Sequence, residues 1–259
     1  MNEVQFQDYF SRASADYARF RPTYPPSLFE LVARFAPALD CVWDCATGTG
    51  QAAVGLSRHF RNVIATDASR EQIAHATPVA NVRYFVAPAE FTTIEAQSVD
   101  AVTVAQALQW FDRARFYAEV RRVSKQGAIL AAWSYTGLGL SFSPGVDAVM
   151  QELSALLMDH WPPAYDELKR SLHNHDEYFS ALGFPFEALP TPPVDLVVQW
   201  NLRELLGTLA TASATQRCAA AGGESELNAL FKRLADAWGD PEQSKTGVEP
   251  LAVRIGRVV

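Results

Sequence analysis

The chain has 259 residues, 49% hydrophobic and 20% charged, a composition that excludes intrinsic disorder, collagen and coiled coil. Its 22 Lys and Arg against 29 Asp and Glu give a net charge of -7, so no overall basic field draws nucleic acid or anionic lipid. Three cysteines, Cys41, Cys45 and Cys218, are sparse and odd in number, which speaks against a disulfide framework and for a reducing, cytoplasmic setting.

The opening MNEVQFQDYF carries Glu3 and Asp8 and no basic start followed by an apolar run, so no secretory signal is expected there. No apolar run approaches the roughly 18–20 residues of a membrane helix, which argues against a membrane partner. Short apolar runs then alternate with amphipathic stretches. Strands are predicted at 42–45, 62–66, 82–85, 100–105 and 128–133, and helices at 50–60, 70–76 and 112–123. Runs such as Asn62-Val-Ile-Ala suit strands buried on both faces, hence a parallel sheet with helices on either side. Residues 137–145, GLGLSFSPG, break the pattern, and 146–182 read as helices interrupted at Trp161-Pro162-Pro163, an inserted cap. Further on, 194–200 alternate as a strand, 202–211 and 224–238 read as helices, and 251–259 form a last strand. The two late strands lack crossover helices and are expected to pair antiparallel at a sheet edge.

The most informative segment is Val42-Trp43-Asp44-Cys45-Ala46-Thr47-Gly48-Thr49-Gly50-Gln51, a strand running through an acid into a glycine turn and a helix. Glycines let a ligand approach the backbone without meeting a β-carbon, and the next helix offers unpaired N–H groups. Gly48-x-Gly50-x-x-Ala53 also satisfies the loose dinucleotide fingerprint, so an NAD(P)-linked oxidoreductase is one reading. Asp44 at the strand end favours a cationic ligand over a pyrophosphate, and S-adenosylmethionine, with its ammonium and sulfonium, is such a ligand. Asp67 ends the next apolar strand, where its carboxylate can accept both ribose hydroxyls of an adenosyl group; capping the following helix is the alternative, which Ser69 can supply instead.

With these motifs the chain resembles the class I S-adenosylmethionine-dependent methyltransferases with a type 11 methyltransferase domain, in particular the small-molecule branch that includes trans-aconitate methyltransferases. The resemblance runs from Tyr17-Ala18-Arg19-Phe20-Arg21-Pro22-Thr23-Tyr24-Pro25 through the glycine turn, Ala65-Thr66-Asp67-Ala68-Ser69, Ala87-Pro88-Ala89-Glu90 and Ala105-Gln106-Ala107-Leu108-Gln109-Trp110-Phe111-Asp112 to Ala131-Ala132-Trp133. It implies a doubly wound, mostly parallel α/β sheet of seven strands with an antiparallel edge strand and a helical cap. The donor-binding core with its N-terminal lid would span 1–136, the cap 137–193, and the completion of the sheet with further cap helices 194–259. The implied cofactor is S-adenosylmethionine, with S-adenosylhomocysteine as product. Asp44, Ala46, Gly48 and Gly50 would embrace the methionine end and Asp67 the ribose. Ala68, Ala89 and Glu90 would hold the adenine, and Gln106 would lie beneath the sulfonium. Tyr17 and Arg21 would close the pocket. The acceptor, a small polar molecule such as a carboxylate, would meet Arg21, Tyr24, Gln109, Trp110, Trp133 and Tyr135, in a monomer or homodimer.

Three positions depart from the family pattern. Ala46 replaces the opening glycine of the turn, Pro88 stands where many relatives bond the adenine amine, and Gln109 stands where relatives often have histidine. Glutamine is no general base at neutral pH, so the acceptor must arrive already nucleophilic. A carboxylate oxygen meets that need when held in line with the methyl group, about 3–3.5 Å away. These departures also motivate a non-catalytic donor-binding module as an alternative. His173-Asn174-His175-Asp176 reads as a polar turn, because an i, i+2 pair splits across a helix, and no metal is expected.

Overall fold

The computed structural model describes residues 22–165 and 175–259. Its main sheet has seven strands in the order β3-β2-β1-β4-β5-β9-β6. These are β1 Cys41–Cys45, β2 Asn62–Asp67, β3 Val82–Val86, β4 Val99–Ala105, β5 Ser124–Ser134, β6 Glu187–Ala188 and β9 Ala252–Arg257. The first five run parallel to one another, and β9 is antiparallel to both β5 and β6. The doubly wound α/β expectation therefore holds. The antiparallel strand stands one place in from the edge, behind the two-residue β6.

Only one of the two late strands joins this sheet. β7, Asp195–Trp200, pairs instead with β8, Lys245–Pro250, in a separate antiparallel ribbon. Its strict alternation of exposed and buried residues is the reason, since a strand with one wet face suits a ribbon and not a sheet covered on both sides. β8 carries Gly247 and ends at Pro250, which mask its pattern in the sequence.

Helix α1, Pro26–Phe35, places Pro26 in the first turn, where a missing N–H leaves nothing unpaired, and buries Leu28, Phe29, Leu31 and Val32. It shares one face of the sheet with α2, Gln51–Leu56, and that core continues into the cap through Val146, Met150 and Leu153 of α5, Pro144–Leu157. Two further helices, α7 Leu202–Ala210 and α8 Ser213–Cys218, precede α9, Glu224–Trp238, which packs along α5. On the opposite face α4, Arg113–Val123, and α6, His175–Ala181, cover Trp43, Val102, Val104 and Leu130.

Between β2 and β3 lies only the five-residue α3, Arg70–Ala74, and no helix connects β3 to β4. The connection is pinned by Glu119 of α4, whose carboxylate accepts the Thr92 N–H at 2.8 Å and hydroxyl at 2.7 Å and pairs with Arg122. Phe85, Val86 and Phe91 are left exposed along a groove of about 490 Å³. Among the described residues, no helix is long and apolar enough to cross a membrane.

Candidate active site

The chain leaves β1 toward β2 and β3, then returns on the other side at β4, so the order reverses between β1 and β4. Ligands of open α/β sheets bind in the crevice at the carboxyl ends of such strands. Backbone strain marks the same place. Among the described residues, three that are not glycine have positive φ, and two of them close these strands: Ala46 (φ 55°) after β1 and Gln106 (φ 60°) after β4. A β-carbon in this region costs about 1 kcal/mol, and such strain persists where a site fixes it. Gly48 (φ 58°) and Gly50 (φ 89°) complete the turn that opens α2. Ala46→Gly is expected to add about 0.5–1 kcal/mol of stability, seen as a thermal midpoint about 2 °C higher.

Beneath the turn Asp44 is wholly buried. Its carboxylate accepts the Thr47 hydroxyl at 2.5 Å and the Thr103 hydroxyl at 2.7 Å. Burial pushes its carboxyl up to about 6, although bonds from Thr47, Thr103 and the Ala53 backbone pull the other way. Asp44 thus supports the turn from below and lends it a negative charge. Asp67 is half-exposed and bonds the turn directly, accepting from Gly48 N at 2.9 Å and from Ser69 N at 2.8 Å. Ser69, not Asp67, caps α3 by accepting from Gln72 N at 3.2 Å. Ala68 is exposed beside it, Ala89 is buried, and Glu90 accepts from Asp112 N at 3.0 Å at the start of α4.

Gln106 staples the ends of β4 and β5. Its amide donates to Tyr135 O at 2.8 Å and accepts from the Ser134 hydroxyl at 2.8 Å. Gln109, 4% exposed, was expected to meet the acceptor; its amide is used inside the protein instead. It donates to Gln106 O at 3.0 Å and to the Tyr165 hydroxyl at 2.6 Å, and accepts from the Tyr178 hydroxyl at 3.4 Å. Burial holds the Tyr178 hydroxyl above its ordinary value, so it remains a donor. Gln109 therefore ties the cap to the strand ends. Gln109→Leu is expected to cost about 2–3 kcal/mol in chemical denaturation and to speed limited proteolysis within 158–165.

Trp133 also differs from expectation. It is 2% exposed and packs against Tyr24 at 5.5 Å and Phe29 at 6.4 Å between ring centroids, so it backs the wall of the crevice. Tyr24 and Tyr135, 6.3 Å apart, are half-buried in front of it. Trp110 stands edge-on to Tyr165, which also meets Trp161. Thr103, Ser134 and Tyr178 carry no local motif and were not foreseen. Tyr17 and Arg21, like His173 and Asn174, lie outside the described residues, and no group of metal-binding side chains occurs among the described ones.

Residues 43–132, which span the turn, Asp67 and Gln106, match the family described as a methyltransferase domain. Over 238 residues the chain is 27% identical to a Dictyostelium discoideum protein named as a methyltransferase, covering 91% of this chain and 88% of the other. A solved structure from Anaeromyxobacter dehalogenans, presented as a type II methyltransferase, is 38% identical, covers 93% of this chain and 99% of its own, and superposes with a TM-score of 0.82. The YcgJ protein of Bacillus subtilis shares the fold at 20% identity, covering 89% of this chain and 97% of its own, with a TM-score of 0.52. These likenesses decide between the two nucleoside ligands that the glycine turn admits: the chain belongs to the class I S-adenosylmethionine-dependent methyltransferases, with S-adenosylmethionine as methyl donor and S-adenosylhomocysteine as product.

Proposed function

We propose that the protein transfers the methyl group of S-adenosylmethionine to a small, polar, carboxylate-bearing molecule. The observation that carries the choice of acceptor is the chemistry of Gln106, Gln109, Ser134, Tyr165 and Tyr178. The side chains that bond Gln106 and Gln109 are hydroxyls, and with the two amides they orient a nucleophile and do not deprotonate one at neutral pH. An acceptor that arrives ionised needs only placement, and a carboxylate is such a group.

The crevice suits the donor. At the turn the Gly48 backbone is open and carries no β-carbon, Asp67 offers an acceptor beside it, and the negative charge of Asp44 lies underneath. In this reading Asp44, Ala46, Gly48 and Gly50 hold the methionine end, Asp67 the ribose, and Ala68, Ala89 and Glu90 the adenine. Bound there, S-adenosylmethionine supplies an electrophilic methyl group on a sulfonium. Gln106 fixes the floor between β4 and β5, while Trp110, Tyr24 and Tyr135 shape the acceptor wall, with Tyr17 and Arg21 closing the pocket and Arg21 anchoring the acceptor carboxylate.

We assign donor binding to residues 1–136, acceptor selection to the cap of 137–193, and completion of the sheet to 194–259. The protein would act in the cytoplasm as a monomer or homodimer, without nucleic-acid or membrane partners. The test incubates it with S-adenosylmethionine and a panel of mono-, di- and tricarboxylates, amines and phenols, reading S-adenosylhomocysteine release. Turnover with carboxylates, lost in Arg21→Ala, is expected. Turnover confined to amines or phenols would overturn the acceptor, and tight donor binding without any turnover would leave a non-catalytic module.

A further inference from the structure

Tyr84 of β3 lies against the glycine turn from a strand two places away. Its register partner on β2 is Ala65, whose small side chain leaves room on the same face for a large ring. A β-carbon on Gly50 would overlap the Tyr84 hydroxyl and meet ring atoms Cε1 and Cζ at 3.0 Å, so the ring occupies the space beside Gly50. The hydroxyl donates to Thr77 O at 2.8 Å, and Thr77 N in turn donates to Thr49 O at 3.1 Å. Burial, then the charge of Asp44, pushes the phenol up to about 12, which keeps it a donor at any working pH.

The five residues of α3 give way to the connection carrying Thr77, which reaches the turn at Thr49. Thr49 is held by that connection and Gly50 by the ring, while Asp67 holds Gly48.

We propose that Tyr84 is a positioning residue for the methyl donor: its ring against Gly50 and its hydroxyl on Thr77 hold Gly48–Gly50 in the shape that receives the methionine end. The proposal rests on the assignment of the donor to this turn. Tyr84 acts through Thr77, Thr49 and Gly50 and needs no contact with the donor itself. Such a brace limits the shapes the turn samples before binding, so losing it weakens affinity through preorganisation.

The test measures S-adenosylhomocysteine affinity by calorimetry for the wild type, Tyr84→Phe, Tyr84→Ala, Gly50→Ala and the double variant, with thermal unfolding of each in the absence of ligand. Tyr84→Phe keeps the ring and is expected to bind about fivefold more weakly, as one hydrogen bond is lost, with a midpoint within about 3 °C of wild type. Tyr84→Ala is expected to lose about tenfold or more, and adding it to Gly50→Ala to recover part of the loss, because the collision is gone. Wild-type binding together with affinities within about twofold in both Tyr84 variants would overturn the proposal and leave the donor site standing. Strictly additive effects in the double variant would overturn the Gly50 contact as its means. A wild type that does not bind would overturn the donor assignment and the proposal together.

Discussion

Asp67→Ala is expected to abolish the thermal stabilisation given by S-adenosylhomocysteine and to weaken its binding by about 100-fold. One carboxylate is asked to do two jobs. It accepts from Gly48 N and Ser69 N, so its removal leaves two donors at the turn without their partner, each loss weighing about 1 kcal/mol or more. It also stands where ribose hydroxyls would find an ionised acceptor, a class of bond worth about 1.5–3 kcal/mol. The ribose bonds exist only in the complex and supply the affinity loss of about 2.7 kcal/mol that a hundredfold represents, while the two turn bonds, present with and without ligand, weigh on stability.

Asp67→Asn separates the two jobs. The amide keeps one accepting oxygen but turns an NH₂ toward Gly48 N or Ser69 N, so about tenfold weaker binding and a partial shift are expected. Because Ser69 caps α3 by itself, neither variant should unravel that helix, and circular dichroism should register no loss. Wild-type affinity in Asp67→Ala would remove the ribose assignment.

The parts of the molecule readable from sequence are those whose signal is local. Strands β1, β4 and β5 stand out because burial on both faces demands unbroken apolar runs, as in Val99–Ala105, where six of seven residues are buried. The glycine turn and Asp67 are equally legible, being a contiguous motif and a strand terminus. Helix α1 hides behind Pro25 and Pro26, although its buried Leu28, Phe29, Leu31 and Val32 follow helical spacing.

The remainder depends on distant partners. Gln109 meets residues 56 and 69 positions away, and no pattern around it reveals that its amide is already engaged. Trp133 ends a strand as a ligand-facing residue should, but which layer its side chain enters follows from the docking of α1, whose Phe29 covers it. Ala46 breaks the family pattern in sequence. In space it adopts the left-handed backbone that a glycine would, so the turn keeps its shape at a cost in strain.

The acid under the turn yields the other large effect. Asp44 titrates near 6 in the folded chain against 3.8 for an ordinary aspartate, because burial disfavours its charged form. Between about pH 4 and 6 the folded state therefore holds a proton that the unfolded state has released, and this contribution to unfolding free energy falls as pH rises through that window. Above it the buried charge carries the full burden, about 3 kcal/mol for this displacement. A cationic donor reverses the preference by favouring the ionised carboxylate. Binding then expels a proton near pH 6, and S-adenosylmethionine affinity is expected to drop about tenfold from pH 7 to pH 5. Asp44→Asn keeps the shape without the charge. It should be more stable than wild type at pH 7 without ligand, bind the donor more weakly, and lose the pH dependence of both quantities. Comparing the two proteins at each pH removes the contribution of every other titrating group. Parallel wild-type and Asn profiles in thermal unfolding and donor calorimetry would show that Asp44 shapes the turn without charging it. Diverging profiles would establish that the charge under the turn is retained at the expense of stability because the donor is a cation.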